Sequence, residues 1–316
     1  VITVTNFAMW WIEWNEKIRE YLSRMMYDGK QLTINNIKQK GFDYAIVADS
    51  TQFTGNYLWG EGSGIPMSDH SYNSGYNDAR ELVSYLNELM NGMDYLVPVP
   101  YYKFKTPTGI TNPRNHWRGL SYLYGWIDGA SHEGNSYMKG FYWDLETPTQ
   151  AYKGSYITTD EIRSIWGRIL ENKREYSKDL IFVWVPTLAN RNSEQLRQYE
   201  SYIYSVAKFF DYVFFQPHYY QCPYCSIEAL QDIYRWVDHF SETYHPSYIE
   251  FEADRSVLEA NKKENCGCGS GHCCILRACD YAIVGRHYPN ILKHKAYYFS
   301  IDLKVIDTVR ELCHEW

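Results

Sequence analysis

Along this chain, short apolar runs suited to strands take turns with longer stretches in which apolar positions recur at helical spacing. The strand-like runs are Ile2–Phe7, Tyr44–Asp49, Tyr95–Pro100, Gly140–Leu145, Ile181–Pro186, Tyr212–Pro217, Tyr248–Glu252 and Ala296–Ile301. Each is rich in β-branched or aromatic residues and gives way to a polar loop. The helical stretches include Tyr76–Met90, Thr159–Tyr176, Glu194–Lys208, Ser226–Tyr244 and Lys304–Trp316. Thr159, followed by Ile162, Ile165 and Trp166, has the capping residue and apolar stripe of a helix start.

Eight strands alternating with helices predict an α/β fold, a closed (β/α)8 TIM barrel with long rim loops. An open doubly wound sheet is the competitor, but it normally carries a glycine-rich phosphate turn after an early strand, and the sequence has none. No Pro/Gly/Ser linker divides the chain, so residues 1–316 read as one barrel domain with Cys-rich insertions after strands six and seven.

Two acidic signatures end strands four and seven, Gly-Phe-Tyr-Trp-Asp144-Leu-Glu146 and Tyr-Ile-Glu250-Phe-Glu252-Ala-Asp254. Side chains alternate along a strand, which puts Tyr142, Asp144 and Glu146 on one face, and Glu250 with Glu252 likewise. A carboxylate facing into a barrel costs several kcal/mol unless something partners or uses it. An ion-pair network inside the barrel is one reading; a reaction centre is the other. Further polar residues at strand ends make Asp49, Tyr102, Trp184, Gln216, His218, Tyr219 and Glu250 candidate substrate contacts. Within the long loops 50–74 and 103–115 and beside them, Trp59, Glu61, His70, Tyr72, Lys103, Arg114 and His116 are weaker candidates.

Composition narrows the chemistry. A formal net charge of -7 argues against a nucleic-acid partner, which would need clustered Lys and Arg. The 31 Tyr and 11 Trp suit a surface for partly hydrated ligands such as sugars, although packing accounts for most such rings. No apolar run is long enough for a membrane span. The start at Val1, without a signal-type segment, reads as a processed or partly covered N-terminus. The sequence carries no signal for assembly state.

Two carboxyl groups across a cleft can cleave a glycosidic bond, one giving a proton to the leaving oxygen and the other acting as nucleophile or base. The expectation is that Glu146 is the general acid/base and Glu252 the nucleophile, with Asp144 or Glu250 tuning charge. A separation of ~5 Å would imply retention of configuration and ~7–9 Å inversion. The chemistry calls for no metal and no other cofactor, and few His lie near the acids to support a metal-dependent hydrolase. The expected function is thus a glycoside hydrolase acting on a polysaccharide or glycan. The alternative is a carbohydrate-binding or surface-structural protein without turnover on the same barrel, since fold alone does not establish activity.

The order FYWDLE, IFVWVP, FDYVFFQPHYY and YIEFEAD, from Gly140 to Asp254, resembles a glycosidase-like barrel family, the domain of unknown function numbered four-eight-five-five. The acids on strands four and seven also resemble the layout of retaining TIM-barrel glycosidases. Gly140 to Glu146 is similar to the tail of the chitinase-type D-G-x-D-x-D-x-E motif, with Lys139 and Tyr142 in place of its first two aspartates. That resemblance implies Glu146 as acid, Asp144 as helper of a substrate acetamide, and Tyr219 or Tyr220 as the strand-six tyrosine.

Eight cysteines lean towards an oxidising compartment, extracellular or at the cell surface, with hyperthermophile cytosol as the known exception. Cys222 and Cys225 follow strand six, and Cys266, Cys268, Cys273, Cys274 and Cys279 follow strand seven. Four disulfides of unspecified connectivity fit the even count. The competing reading is zinc on Cys222, Cys225 and two later cysteines, or His272.

Overall fold

The computed structural model describes residues 3–15, 17–49, 70–101, 119–189, 191–258, 264 and 266–316, and at Asp49 the backbone only. Eight strands run in chain order: β1 Thr5–Asn15, β2 Tyr44–Asp49, β3 Asp94–Val99, β4 Met138–Trp143, β5 Ile181–Trp184, β6 Tyr212–Phe215, β7 Tyr248–Glu252 and β8 His294–Tyr298. Each pairs in parallel with the next, and β8 pairs back onto β1 with Thr5 opposite His294, so the sheet closes into the expected (β/α)8 barrel. Strand β1 starts later than the apolar run suggests and continues to Asn15. Its far end is held in an antiparallel ladder by Glu20–Ser23, which extends it past the barrel rim.

The helices are α1 Ile34–Gln39, α2 Tyr72–Leu89, α3 Leu120–Glu133, α4 Thr159–Glu175, α5 Ser193–Ala207, α6 Ile227–Thr243, α7 Gly271–Gly285 and α8 Lys304–Leu312. Helix α4 is capped one residue earlier than its pattern suggests: Thr158 and Glu161 form a reciprocal capping box, and Ile162, Ile165 and Ile169 are its buried stripe. Helix α3 contains Gly125 and Gly129, which serve packing. A Cβ on Gly125 would lie 1.9 Å from the carbonyl oxygen of Tyr72, and one on Gly129 2.2 Å from that of Tyr76. The reciprocal residue Gly75 of α2 would meet the Tyr122 carbonyl at 2.0 Å. Backbone contact replaces side-chain packing where the two helices cross.

Inside the barrel, the strand starts are filled by rings. Phe7 lies 4.7 Å from Tyr44, 5.1 Å from Tyr212 and 5.0 Å from Phe214, and Tyr248 stands 4.9 Å from His294. This layer plugs the bottom and leaves only the C-terminal end free for a cavity. Buried indole rings of the helix layer are anchored by their N–H groups. Trp126 Nε1 donates to the Pro98 carbonyl at 2.9 Å, and Trp236 Nε1 to Glu200 at 2.9 Å.

The helix crossing predicts that Gly125→Ala lowers unfolding free energy by ~1–3 kcal/mol through overpacking. Gly167, inside α4 with nothing within 4 Å of a built Cβ, is the control. Gly167→Ala is expected to raise stability by ~0.5–1 kcal/mol. Urea denaturation of both variants measures this, and a neutral Gly125→Ala would refute the crossing.

Candidate active site

Glu146 follows the end of β4, on a segment pinned by buried hydrogen bonds. Gln150 accepts from Trp143 Nε1 at 2.7 Å and donates to the carbonyls of Leu145 and Thr147 at 3.0 and 2.9 Å. Trp184 Nε1 donates to the same Leu145 carbonyl at 2.8 Å. The residue before Glu146 is therefore fixed from two sides. The side chain of Glu146 lies 3.5 Å from the Tyr142 hydroxyl and is also hydrogen-bonded by Gln216. Gln216 donates to the Val185 carbonyl at 2.6 Å.

Across the barrel, Glu250 and Glu252 are both almost fully buried on β7. Glu252 is turned to the seam between β7 and α7. One of its oxygens accepts from the His218 backbone N–H at 3.0 Å, the other from the Tyr281 hydroxyl at 2.6 Å. His218 holds a left-handed backbone with φ of 57°, a conformation uncommon for a residue with a side chain. Among the described residues, no hydrogen bond or ion pair reaches the Glu250 carboxyl.

A cavity of about 340 Å³ opens here, lined by Met9, Trp11, Glu146, Gln216, His218, Gln221, Glu250 and Tyr298. Glu146 and Glu250 both reach it, whereas Glu252, expected as the partner of Glu146, does not line it. Asp144 accepts the Tyr101 N–H at 3.1 Å, which ties it to the chain just beyond β3, and it is not among the described residues that line the cavity. Trp184 is fully buried against Phe210 on the outward face of β5, so it positions Glu146 and offers substrate nothing. Tyr219 belongs to a second cavity, also about 340 Å³, lined by Leu188, Arg191, Asp232 and the Cys222–Cys225 disulfide among others. Its hydroxyl donates to Asp280 at 2.6 Å and its ring lies 4.1 Å from the Arg277 guanidinium. His218 lines both cavities. Tyr220 donates to Asp254 at 2.9 Å, away from the cavity.

The Asp49 side chain and the residues Tyr102, Trp59, Glu61, Lys103, Arg114 and His116 lie outside the described parts. His70 is exposed, and Tyr72 donates to Asp128 between α2 and α3 at 2.5 Å. Met9, Trp11 and Tyr298 are cavity residues that the site reading passed over. Met9 and Trp11 continue the inward face that begins at Phe7, a period-two signal visible once β1 is followed to Asn15.

The electrostatics separate the three glutamates. Burial pushes Glu146 up to about 7, opposed by the hydrogen bonds from Gln216 and Tyr142. Burial also lifts Glu252 to about 7, opposed by Tyr281 and His218. Glu250, with no donor and two neighbouring carboxyls, is held well above the ordinary carboxylate range by burial and then by Glu252 and Glu146. Burial keeps His218 below its ordinary value, hence neutral near pH 7.

No family model matches the chain. An uncharacterized protein of Methanocaldococcus jannaschii is 26% identical over 356 aligned residues, covering 96% of this chain and 91% of that protein. Similar solved structures include a family 18 N-acetylglucosaminidase from Paenibacillus barengoltzii, at 10% identity, 96% and 99% coverage and a TM-score of 0.49. A xylanase and α-amylase inhibitor protein from Scadoxus multiflorus gives 12%, 99% and 99%, and 0.48. A family 18 chitinase from Crocus vernus gives 8%, 98% and 94%, and 0.46. With scores under 0.5, these likenesses carry no activity to this chain.

A carboxyl whose pKa is raised by folding binds more protons folded than unfolded between its two values, so stability falls as pH rises through the folded value. His218, His245 and His294 are depressed and act in the opposite sense, but only below about 6.5. From pH 6.5 to 9 the denaturation midpoint should therefore fall. Glu250→Gln should raise the midpoint at pH 9 and flatten the slope. A variant with the wild-type slope would show that Glu250 does not hold its proton across this range.

Proposed function

We propose that the protein is a glycoside hydrolase acting on a polysaccharide or glycan, with Glu146 and Glu250 as its carboxyl pair. The observation that carries this reading is their convergence, from β4 and β7, on one cavity that also presents the rings of Trp11 and Tyr298. Two carboxyls whose environments drive their pKa values apart make an acid and a base. Glu250 keeps its proton and donates it to the leaving glycosidic oxygen. Glu146, the readier to ionise, supplies the carboxylate that attacks the anomeric carbon or activates water. Glu252 acts on this pair through its charge, which holds the proton on Glu250. The assignment differs from the sequence expectation, in which Glu252 was the second catalytic group and Glu146 the acid.

The aromatic faces supply flat apolar surface for a sugar ring while Gln216, Gln221 and His218 offer polar edges. Residues 1–316 read as one working barrel, and its motif order keeps the resemblance to the domain-of-unknown-function family as part of the proposal. The three disulfides Cys222–Cys225, Cys266–Cys274 and Cys268–Cys273 suit an oxidising, extracellular or surface setting. No helix among the described residues is long and apolar enough to cross a membrane.

The test is a polysaccharide array read for new reducing ends. Glu146→Gln and Glu250→Gln should each lower kcat by about 10²–10⁴-fold on any substrate the parent cleaves. Glu252→Gln should retain turnover but move the alkaline limb of kcat/KM to lower pH, because removing a neighbouring negative charge lowers the pKa of Glu250. Equal rates for parent and Glu146→Gln would refute the pair. Glycan binding without release of reducing ends would identify a carbohydrate-binding protein on the same barrel.

A further inference from the structure

In the loop before α7 and the first turn of that helix the chain places four cysteines within nine residues, Cys266, Cys268, Cys273 and Cys274. They are joined as Cys266–Cys274 and Cys268–Cys273, with sequence separations of 8 and 5. Both bonds join the loop before α7 to the first turn of that helix and close only short loops, where the loop-entropy gain of a disulfide is smallest. Stapling distant elements does not explain this spacing.

The sulfurs themselves form a cluster. Those of Cys266, Cys268 and Cys274 all lie within 4.8 Å of one another. Cys266 Sγ and Cys268 Sγ, which are not bonded to each other, are 3.1 Å apart. A tetrahedral thiolate site with metal–sulfur bonds of about 2.3 Å separates its sulfurs by about 3.8 Å. Cys273, on the first turn of α7 and bonded to Cys268, is the fourth donor within reach.

The surroundings favour thiolates. Gly267 and Gly269 take φ values of +86° and +85°, letting the backbone double back so that Cys266 and Cys268 face the helix start. Ser270 caps α7 by accepting from the Cys273 N–H at 3.2 Å. The positive end of that helix stabilises negative sulfur on Cys273 and Cys274. Cys266 and Cys274 are buried, while Cys268 and Cys273 are partly open and leave an entry path.

We propose that, when reduced, Cys266, Cys268, Cys273 and Cys274 form a thiolate site for one soft d10 cation, Zn²⁺ or Cu(I), and that the two disulfides are its oxidised alternative. Reduction takes four electrons and four protons from two equivalents of a dithiol; metal binding then releases the thiol protons of the ligating cysteines. The site lies outside the carboxylate cavity, so it stands or falls independently of the glycosidase reading.

The test uses the full chain, reduced anaerobically with a dithiol, freed of reductant and given either Zn²⁺ or the acetonitrile complex of Cu(I). Metal retained after desalting is counted by mass spectrometry, and Co²⁺ substitution is read for thiolate charge-transfer bands. One equivalent is expected in the reduced parent and in a Cys222→Ser/Cys225→Ser variant. At least tenfold weaker retention is expected in Cys266→Ser/Cys268→Ser, whose fold is checked by circular dichroism. The oxidised parent, folded by definition of the comparison, should hold none. Retention by oxidised parent, none by reduced parent, or loss only in the Cys222/Cys225 variant would overturn the proposal. The arm that retains metal tells Zn²⁺ from Cu(I).

Discussion

Three glutamates share the upper interior of this barrel, and among the described residues none of them meets a cation. The free-energy cost of charging them together is the constraint on which the site depends. It is relieved in graded fashion by neutral donors. Glu252 has two, a backbone N–H and a tyrosine hydroxyl; Glu146 has a tyrosine and an amide; Glu250 has none. The donors themselves stay neutral, since burial holds the Tyr142 and Tyr281 hydroxyls far above their ordinary range. Ionisation is thus ordered by hydrogen-bond supply, and a group that keeps its proton is placed beside one that can lose it. A lysine or arginine at the same place would have fixed all three as carboxylates and removed the acid.

Helix α7 is the member that maintains this gradation. Its Tyr281 bonds Glu252 and accepts the Tyr220 N–H at 2.9 Å. Its Arg277 donates to the carbonyls of Tyr219 and Cys222 at 2.6 and 2.7 Å, and its Asp280 accepts from Tyr219. The loop after β6 is therefore laid against α7, and the left-handed turn at His218 is what aims an N–H at Glu252. A conformation of that kind costs about 1–3 kcal/mol and persists only where its surroundings determine it. Here the return is a charge held in place beside Glu250.

The strands were legible because each carries a short apolar run between polar loops, and their alternation with helices, without a glycine-rich phosphate turn or a dividing linker, favoured a closed parallel barrel over an open sheet. Helix α3 was not among the predicted helical stretches, and its two glycines are accounted for only by α2, which occupies the space they leave. Strand parity correctly puts Glu146, Glu250 and Glu252 inward, yet parity cannot tell an inward side chain that meets a cavity from one that meets a helix. Glu252 illustrates the failure. Tyr281 reaches Glu252 from 29 residues away in sequence, whereas the turn of Trp184 to the helix layer, one position out of phase with Val183, follows from parity alone. The contact between Tyr281 and Glu252 is not local, so no reading of a single strand could contain it.

The same electrostatics bear on what the cavity can accept. Its described wall contributes carboxyl groups, amides, one neutral imidazole and rings. An anionic sugar placed there would face Glu146 and Glu250 in a poorly screened interior, where like charges at about 4 Å interact by several kcal/mol. Its arrival would raise both pKa values further and oppose the ionisation of Glu146 that the proposed chemistry needs. A neutral sugar escapes that conflict, and an amino sugar would instead draw Glu146 towards its charged form. For the proposed acid–base pair, the described part of the wall therefore works against uronic acids, through the same three side chains.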